Sequence, residues 1–153
     1  MNVQQLAQAG IDAINDRSFQ EKAKDLMDEN VVIIDRPTGQ EMHGVDGYIQ
    51  YSENFVAAIP DLTGTVIEHQ VKRNKVISRV RRQGKFTGSL QTPHGSIQGN
   101  GNPVDIEYQI EQEFNDAGKV QRFVVHFDLS DFMHQLSRRY AYGFSTSYPT
   151  KIS

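Results

Sequence analysis

The sequence contains no cysteine, no long hydrophobic run and little net charge. Without cysteine there is no disulfide, no thiol nucleophile and no thiolate metal ligand, and a cytoplasmic location is the natural expectation. No apolar run approaches the ~20 residues that a bilayer span requires, so we expect no membrane partner. The first residues, Met1–Leu6, lack a basic segment followed by an apolar one, which predicts a chain without a signal peptide.

A formal net charge of −3 argues against nucleic acid as a partner. The most basic run, Arg79-Val80-Arg81-Arg82, does not form one patch. In a strand Arg79 and Arg81 share a face, whereas Arg82 points to the opposite face. We expect the first two arginines to pair with acidic residues of a neighbouring strand, such as Glu107.

Several signatures of metal and cofactor sites are missing. H-E-x-x-H, G-x-x-x-x-G-K and G-x-S-x-G do not occur, and we expect no cofactor and no metal. His69 and His94 have no partners at metal-ligand spacing. His126 and Asp128 are two residues apart, which suits metal ligation or a His-Asp dyad. Asp128 directly precedes an amphipathic helix, however, and a helix N-cap is the favoured interpretation.

The longest regular pattern lies between Pro103 and Leu136. Apolar residues alternate with polar ones from Val104 to Phe114, which predicts a strand with one buried face. Residues 115–119 supply turn chemistry, and a second strand follows with Phe123, Val125 and Phe127 on its apolar face. A helix completes the segment. A long hairpin with one apolar face requires other elements to cover it.

The remaining chain supplies that cover. Helical spacing predicts helices over residues 3–14 and 19–27 and before Pro60, and strands are predicted at 31–34, 65–71 and 75–86. Segments 40–44 and 88–102 are predicted to be loops. The order α-α-β-α-β-β-β-β-α is an α+β layout with helices on one face of a curved antiparallel sheet. We expect one domain over residues 1–138 and an aromatic-rich tail over 139–153.

A set of short motifs occurs in this order along residues 10–137. They are Val31–Gly39, His43-Gly44, Ile59–Leu62, Val76–Val80, Phe86–Gly88, Gly118–Val120, Phe127-Asp128 and His134–Leu136. The ordered set resembles the SnoaL-like polyketide cyclase branch of the nuclear-transport-factor-2-like superfamily, and it is also similar to ketosteroid isomerase. The resemblance implies a cone, with three N-terminal helices over the concave face of the sheet, a pocket for a small hydrophobic molecule, and a homodimer.

The resemblance also implies where catalytic groups would lie. The cyclase acid/base position corresponds to Val125, its partner across the hairpin falls near Ile110, and the isomerases' first-helix tyrosine falls near Gly10. None of these residues ionises, so none can transfer a proton. Asp35 matches the isomerases' proton-shuttling aspartate, and desolvation beside an apolar pocket would raise its pKa. The alternative is that Asp35 caps the turn that follows it.

Two functions therefore stay open. The first is a cofactor-independent isomerase, cyclase or dehydratase that uses Asp35 as its base on a small hydrophobic ligand. The second is a non-catalytic ligand-binding or assembly module. The predicted ligand-binding residues are His43, Tyr51, Phe55, Tyr108, Ile110, Phe123 and Val125. The aromatic tail is predicted to dock on a neighbouring subunit.

Overall fold

The structure is a computed structural model that describes residues 2–138, so the predicted tail at 139–153 lies outside the described residues. The helices are α1 (Val3–Asn15), α2 (Phe19–Leu26), α3 (Gly44–Ala58) and α4 (Leu129–Ser137). The strands are β1 (Met27–Asp35), β2 (Gln40–His43), β3 (Thr63–Lys72), β4 (Lys75–Phe86), β5 (Ser89–Thr92), β6 (Gly95–Gln98), β7 (Asn102–Phe114) and β8 (Val120–His126). The predicted α+β class is confirmed.

Six strands form one curved sheet in the order β2-β1-β8-β7-β4-β3. Four of the five neighbouring pairs are antiparallel, as expected. The β1–β8 pair is parallel, which makes the sheet mixed. Alternation within a strand reveals its buried face but not the direction of its neighbour, so the sequence pattern could not predict this pairing.

The β7–β8 hairpin has the register that the alternation predicts. Ile110 pairs with Val125, and both side chains are buried, at 1% and 2% exposure. His126, the next residue on β8, is exposed on the other face. A shift of one residue in the strand pairing would turn every side chain to the opposite face of the sheet. The observed register therefore directs the apolar face of this hairpin towards the helices.

The helices begin and end where local chemistry predicts. The side chain of Asn2 accepts a hydrogen bond from the backbone N–H of Gln5 at 3.1 Å and caps α1. The carboxylate of Asp128 accepts one from the backbone N–H of Asp131 at 2.9 Å, which confirms Asp128 as the cap of α4. Within residues 2–138, no helix is both long and apolar enough to cross a membrane.

Two segments predicted to be loops contain strands. Residues 40–43 form β2, which pairs with β1, and residues 89–98 form the separate hairpin β5–β6. All three strands are four residues long, too short for alternation to show in the sequence. The Asn54 side chain holds the hairpin against α3, because its amide donates to the carbonyl of Gln91 and its oxygen accepts from the Gln91 N–H, both at 2.9 Å.

The outer face of the sheet carries cross-strand ion pairs. Arg79 makes two hydrogen bonds to Glu107, at 3.0 and 3.1 Å, as predicted. Arg81 binds Asp105 in the same two-pronged way, at 2.8 and 2.6 Å. Both arginines are therefore engaged on the surface, and the third arginine of the run, Arg82, is buried on the opposite face.

Candidate functional site

Asp35 is the last residue of β1 and lies at the inner edge of a turn. It pairs with Gln40 of β2 and Val125 of β8, and the N–H of Gly39 closes the turn on the Asp35 carbonyl at 2.8 Å. Gly39 has a φ of 75°, in the left-handed region that glycine adopts without a steric cost. The turn directs the Asp35 side chain inward, where the residue is only 3% exposed.

The Asp35 carboxylate is incompletely hydrogen-bonded. Its Oδ1 atom is buried and has no hydrogen-bond partner. Burial raises the pKa of Asp35, because desolvation penalises the charged form. The nearby Tyr51 hydroxyl and the backbone and side chain of Thr38 oppose this effect and lower the pKa. Loop contacts to Thr38 therefore exist, but they leave one carboxylate oxygen free inside the protein.

Tyr51 projects from α3 towards Asp35. Its hydroxyl is buried and, like Asp35 Oδ1, completes no hydrogen bond. Burial raises the pKa of Tyr51 well above its usual value, and the negative charge of Asp35 adds to the effect. Tyr51 consequently stays a neutral phenol, which can donate a hydrogen bond to a carboxylate or to a ligand oxygen.

Aromatic rings form the wall beside these two groups. Tyr108 and Phe127 stack with centroids 4.6 Å apart, and Phe55 contacts both rings edge-on at 6.0 and 6.3 Å. Phe132 of α4 meets Phe127 at 5.4 Å. These packed rings make this side of the interior apolar.

Two small cavities lie in the interior of the cone. The first has a volume of about 60 Å³ and opens beside Asp35. Its lining comprises Asp35, Thr38, Gln40, Tyr51, Asn54, Phe55, Leu90, Gln91, Thr92, Pro93, Phe127, Leu129, Phe132 and Met133. The second, of about 20 Å³, lies deeper and is lined by Ile14, Tyr51, Ser52, Phe55, Leu62, Arg82, Phe123 and Val125. Tyr51 and Phe55 stand between the two.

Larger clefts lead to the Asp35 cavity from the surface. One of about 730 Å³ runs between α3 and β5, and one of about 460 Å³ lies between the β5–β6 hairpin and α4. Thr92 lines both clefts and the Asp35 cavity. Pockets for drug-sized ligands measure roughly 300–1,000 Å³, so the clefts have room for a ligand body and the interior has room for one group of it.

Arg82 is a functional candidate to which the sequence analysis gave no role. It lies on β4 at 9% exposure, with its guanidinium carbon 4.6 Å from the centroid of the Tyr108 ring. No Asp or Glu of residues 2–138 forms an ion pair with it. The signal was present, because Arg82 continues the inward series of β4 after Ser78 and Val80.

The predicted ligand-binding residues fall into three groups. Tyr51, Phe55, Phe123 and Val125 line the interior cavities, and Tyr108 belongs to the aromatic wall. Ile110 is buried beside Val125 but lines neither interior cavity.

His43 lies apart from the others. Its side chain is 66% exposed, sits 3.9 Å from the carboxylate of Glu41 and lines neither interior cavity. Among residues 2–138, no cluster of three or more His, Asp or Glu side chains could hold a metal ion.

Similarity to known proteins covers nearly all of the described residues. A family model described as SnoaL-like polyketide cyclase matches residues 4–136. The fold resembles a putative SnoaL-like polyketide cyclase from Jannaschia sp. CCS1, at 17% identity over 90% of this chain and 93% of that one, with a TM-score of 0.81. IdmH, a putative polyketide cyclase from Streptomyces antibioticus, is 17% identical over 90% and 100% of the two chains, with a TM-score of 0.73.

A third solved structure, TerC co-crystallised with polyporic acid, is 15% identical over 89% of this chain and 98% of that one, with a TM-score of 0.70. At these identities the likeness between structures concerns the fold alone. None of the curated proteins compared matches the chain.

Proposed function

The chain belongs to the SnoaL-like polyketide cyclase family, and from that premise we propose that it catalyses proton transfer on a small hydrophobic ligand, with Asp35 as the base. The ligand's reacting group enters the Asp35 cavity, and its body lies in the outer clefts. Isomerisation, cyclisation and dehydration all begin with such a proton removal, and none of them requires a cofactor.

One observation carries the proposal, namely the buried Oδ1 atom of Asp35, which has no hydrogen-bond partner in a residue that borders a cavity with both polar and aromatic walls. A carboxylate retained only as a turn cap would be expected to have its buried oxygen paired, because an unpaired buried oxygen costs stability. A desolvated carboxylate with a raised pKa is a stronger base than one in water, and it becomes effective once ionised.

The tyrosine beside Asp35 suits the same chemistry. A neutral Tyr51 hydroxyl, whose hydrogen-bonding capacity is unused in the structure, can donate to a ligand oxygen while Asp35 holds the abstracted proton. The aromatic wall of Phe55, Tyr108 and Phe127 excludes water, which strengthens each of these interactions.

A second candidate function is ligand binding without chemistry. It is favoured because Val125 occupies the position on β8 where the family carries its acid/base residue, and because Ile110 lies opposite Val125. Neither side chain can exchange a proton. TerC, which was crystallised with polyporic acid, supports the idea that a cone of this kind accepts an organic ligand.

Proton exchange on a simple ketone separates the two functions. In deuterated water, the wild-type protein should accelerate the replacement of the α-protons of 2-tetralone by deuterium, followed by NMR. Asp35→Asn should reduce the protein-dependent rate by roughly 100- to 10,000-fold, the usual contribution of a positioned base.

The matched control is Asp25→Asn, the same substitution at an exposed carboxylate of α2, which lines none of the cavities or clefts described above. That variant should exchange 2-tetralone as fast as the wild type. Equal rates for Asp35→Asn and the wild type would remove Asp35 as the base. Binding of 2-tetralone without any accelerated exchange would favour the binding function.

A further inference from the structure

Arg82 places a positive charge inside the cone without a negative partner. The residue is 91% buried, it lines the inner cavity, and no carboxylate of residues 2–138 lies within ion-pair distance of it. We propose that Arg82 binds a negatively charged oxygen of the ligand, namely an enolate, phenolate or carboxylate. This inference rests on the proposed function and adds the chemical class of the ligand to it.

The energetic cost of this arrangement argues against a purely structural role. A buried charge without a partner is destabilising, and proteins normally pair such charges or expose them. The Tyr108 ring, 4.6 Å away, compensates only in part, because a cation–π contact is weaker than a desolvated ion pair. An anionic ligand group would complete the missing pair, most strongly through the two parallel N–H donors of the guanidinium.

The surroundings of Arg82 define where that oxygen would lie. The inner cavity is bounded by Phe123 and Val125 on the sheet and by Tyr51 and Ser52 on α3. Tyr51 also lines the Asp35 cavity, so this one side chain borders both the cavity of the carboxylate and the cavity of the guanidinium. A ligand that reaches both cavities can present a C–H bond to Asp35 and an oxygen to Arg82.

The chemistry balances with these groups alone. The Asp35 carboxylate takes the proton from a carbon next to a carbonyl and becomes a carboxylic acid. The C–H electron pair forms a carbon–carbon double bond, and the carbonyl π electrons move to oxygen, where Arg82 holds the resulting enolate. Return of the proton at another carbon gives an isomer. Attack of the enolate carbon on a second carbonyl closes a ring, and the new alkoxide takes the proton back from Asp35.

Arg82 can be tested without knowledge of the natural ligand. The probes are 4-nitrophenol, at a pH where it is the phenolate, and 4-nitrotoluene, which has nearly the same shape and no charge. The wild type should bind the phenolate about 10- to 100-fold more tightly than 4-nitrotoluene, the range expected for a hydrogen bond to a charged group. Arg82→Met should abolish this preference, and Arg82→Lys should retain part of it.

Arg81→Met is the matched control, because Arg81 is the adjacent arginine, binds Asp105 on the outer face, and should leave the preference unchanged. Asp35→Asn should strengthen phenolate binding, since it removes a negative charge near the site. Thermal unfolding of ligand-free Arg82→Met should show equal or higher stability, because the variant removes an unpaired buried charge.

Three results would overturn the assignment of Arg82. The first is that the wild type shows no preference for the phenolate. The second is that Arg82→Met keeps the preference. The third is that Arg82→Met loses several degrees of melting temperature but binds the phenolate normally. The first needs no variant, so it decides even if Arg82→Met fails to fold.

The proposed function fails separately. If 2-tetralone exchange survives in Asp35→Asn while phenolate binding depends on Arg82, Asp35 is not the base, but Arg82 still binds the anion. If exchange requires Asp35 but Arg82→Met alters neither exchange nor binding, Asp35 is the base and Arg82 does not bind the anion.

Discussion

At the scale of single residues, the interior of the cone contains polar groups that lack a hydrogen-bond or ion-pair partner. Asp35 Oδ1 and Tyr51 Oη are both buried without a hydrogen bond, and Arg82 lacks an anionic partner. Each such group costs stability, and Gln112 Oε1, the third buried oxygen without a partner among residues 2–138, lines neither cavity. Asp35 lines the first interior cavity, Arg82 lines the second and Tyr51 lines both, which supports the proposal that they belong to one site.

Asp35→Asn should leave the melting temperature at neutral pH unchanged or slightly raised. The folded-state pKa of Asp35 is raised, so its stabilising contribution is complete below the unfolded value near 3.9 and is lost as pH rises through the folded value. The charged form therefore costs stability at neutral pH, and asparagine removes that cost. A melting temperature lowered by several degrees, with ligand binding intact, would instead identify Asp35 as a turn cap.

Tyr51→Phe should raise the pKa of Asp35 further. The Tyr51 hydroxyl is the largest of the contacts that lower this pKa, and phenylalanine removes it without changing the shape of the side chain. A carbon-13 NMR titration of the Asp35 carboxyl group, assigned with Asp35→Asn, measures the shift directly. A midpoint that stays in place or falls would show that the two groups do not interact.

Sequence reasoning selected Asp35 and gave Arg82 no role, for a physical reason. Asp35 lies beside a turn with strong local signals, Pro37 and Gly39, and resembles a known catalytic position. Arg82 belongs to a basic run whose other two arginines are ordinary surface residues. Only the alternation of side chains along β4 distinguishes it, because it places Arg82 on the face opposite Arg79 and Arg81. That alternation does not show that α3 covers the opposite face and buries the cation.

At the scale of elements, close contacts with α3 hold the β5–β6 hairpin beside the candidate site. The N–H of Gly88, just before β5, donates to the carbonyl of Ala58 at the end of α3 at 2.9 Å. Asn54 pairs with the backbone of Gln91 one turn earlier on the same helix. These contacts hold the β5–β6 hairpin beside the clefts that lead to Asp35. Sequence reasoning missed the hairpin because its strands are only four residues long, and the contacts of Asn54 and Gly88 that hold it leave no sequence pattern.

Gly88→Ala should destabilise the protein by about 1–3 kcal/mol, the range for overpacking. A Cβ atom at Gly88 would lie 1.7 Å from the Ala57 carbonyl oxygen, and that oxygen is backbone that cannot rotate away. Gly10→Ala is the control, since its Cβ would meet only the Gln112 side-chain oxygen, at 3.4 Å. In α1 this change should be neutral or stabilise by up to about 1 kcal/mol. Chemical denaturation measures both, and equal effects would refute the tight contact.

At the scale of the whole molecule, the sheet separates two environments. Its concave face binds the helices and contains the site, and its convex face carries Arg79–Glu107 and Arg81–Asp105 ion pairs. The alternation of β7 and β8 predicted this division well, because the buried face of each strand is apolar except at Asn102 and Gln112. The parallel β1–β8 pairing could not be predicted, since it brings together strands about ninety positions apart without a local signal.

We expect the protein to form a homodimer through this convex face. A twofold contact needs a self-complementary surface, and acidic residues of β7 beside Arg122 of β8 provide opposite charges on one face. Light scattering should give twice the 17.3 kDa chain mass at micromolar concentration. Gln109→Lys, in the middle of that face, should shift the population towards monomer. A 17.3 kDa particle for the wild type would contradict the dimer.

The most direct test of the central claim compares two titrations of the same protein. One follows the Asp35 carboxyl group by carbon-13 NMR, and the other follows the rate of 2-tetralone exchange as a function of pH. If Asp35 is a desolvated base, both curves share one midpoint, above the ordinary aspartate value of about 3.9, and the rate rises as the carboxyl group ionises. A carboxyl group that titrates at or below that value, or a rate with a different midpoint, would contradict the account.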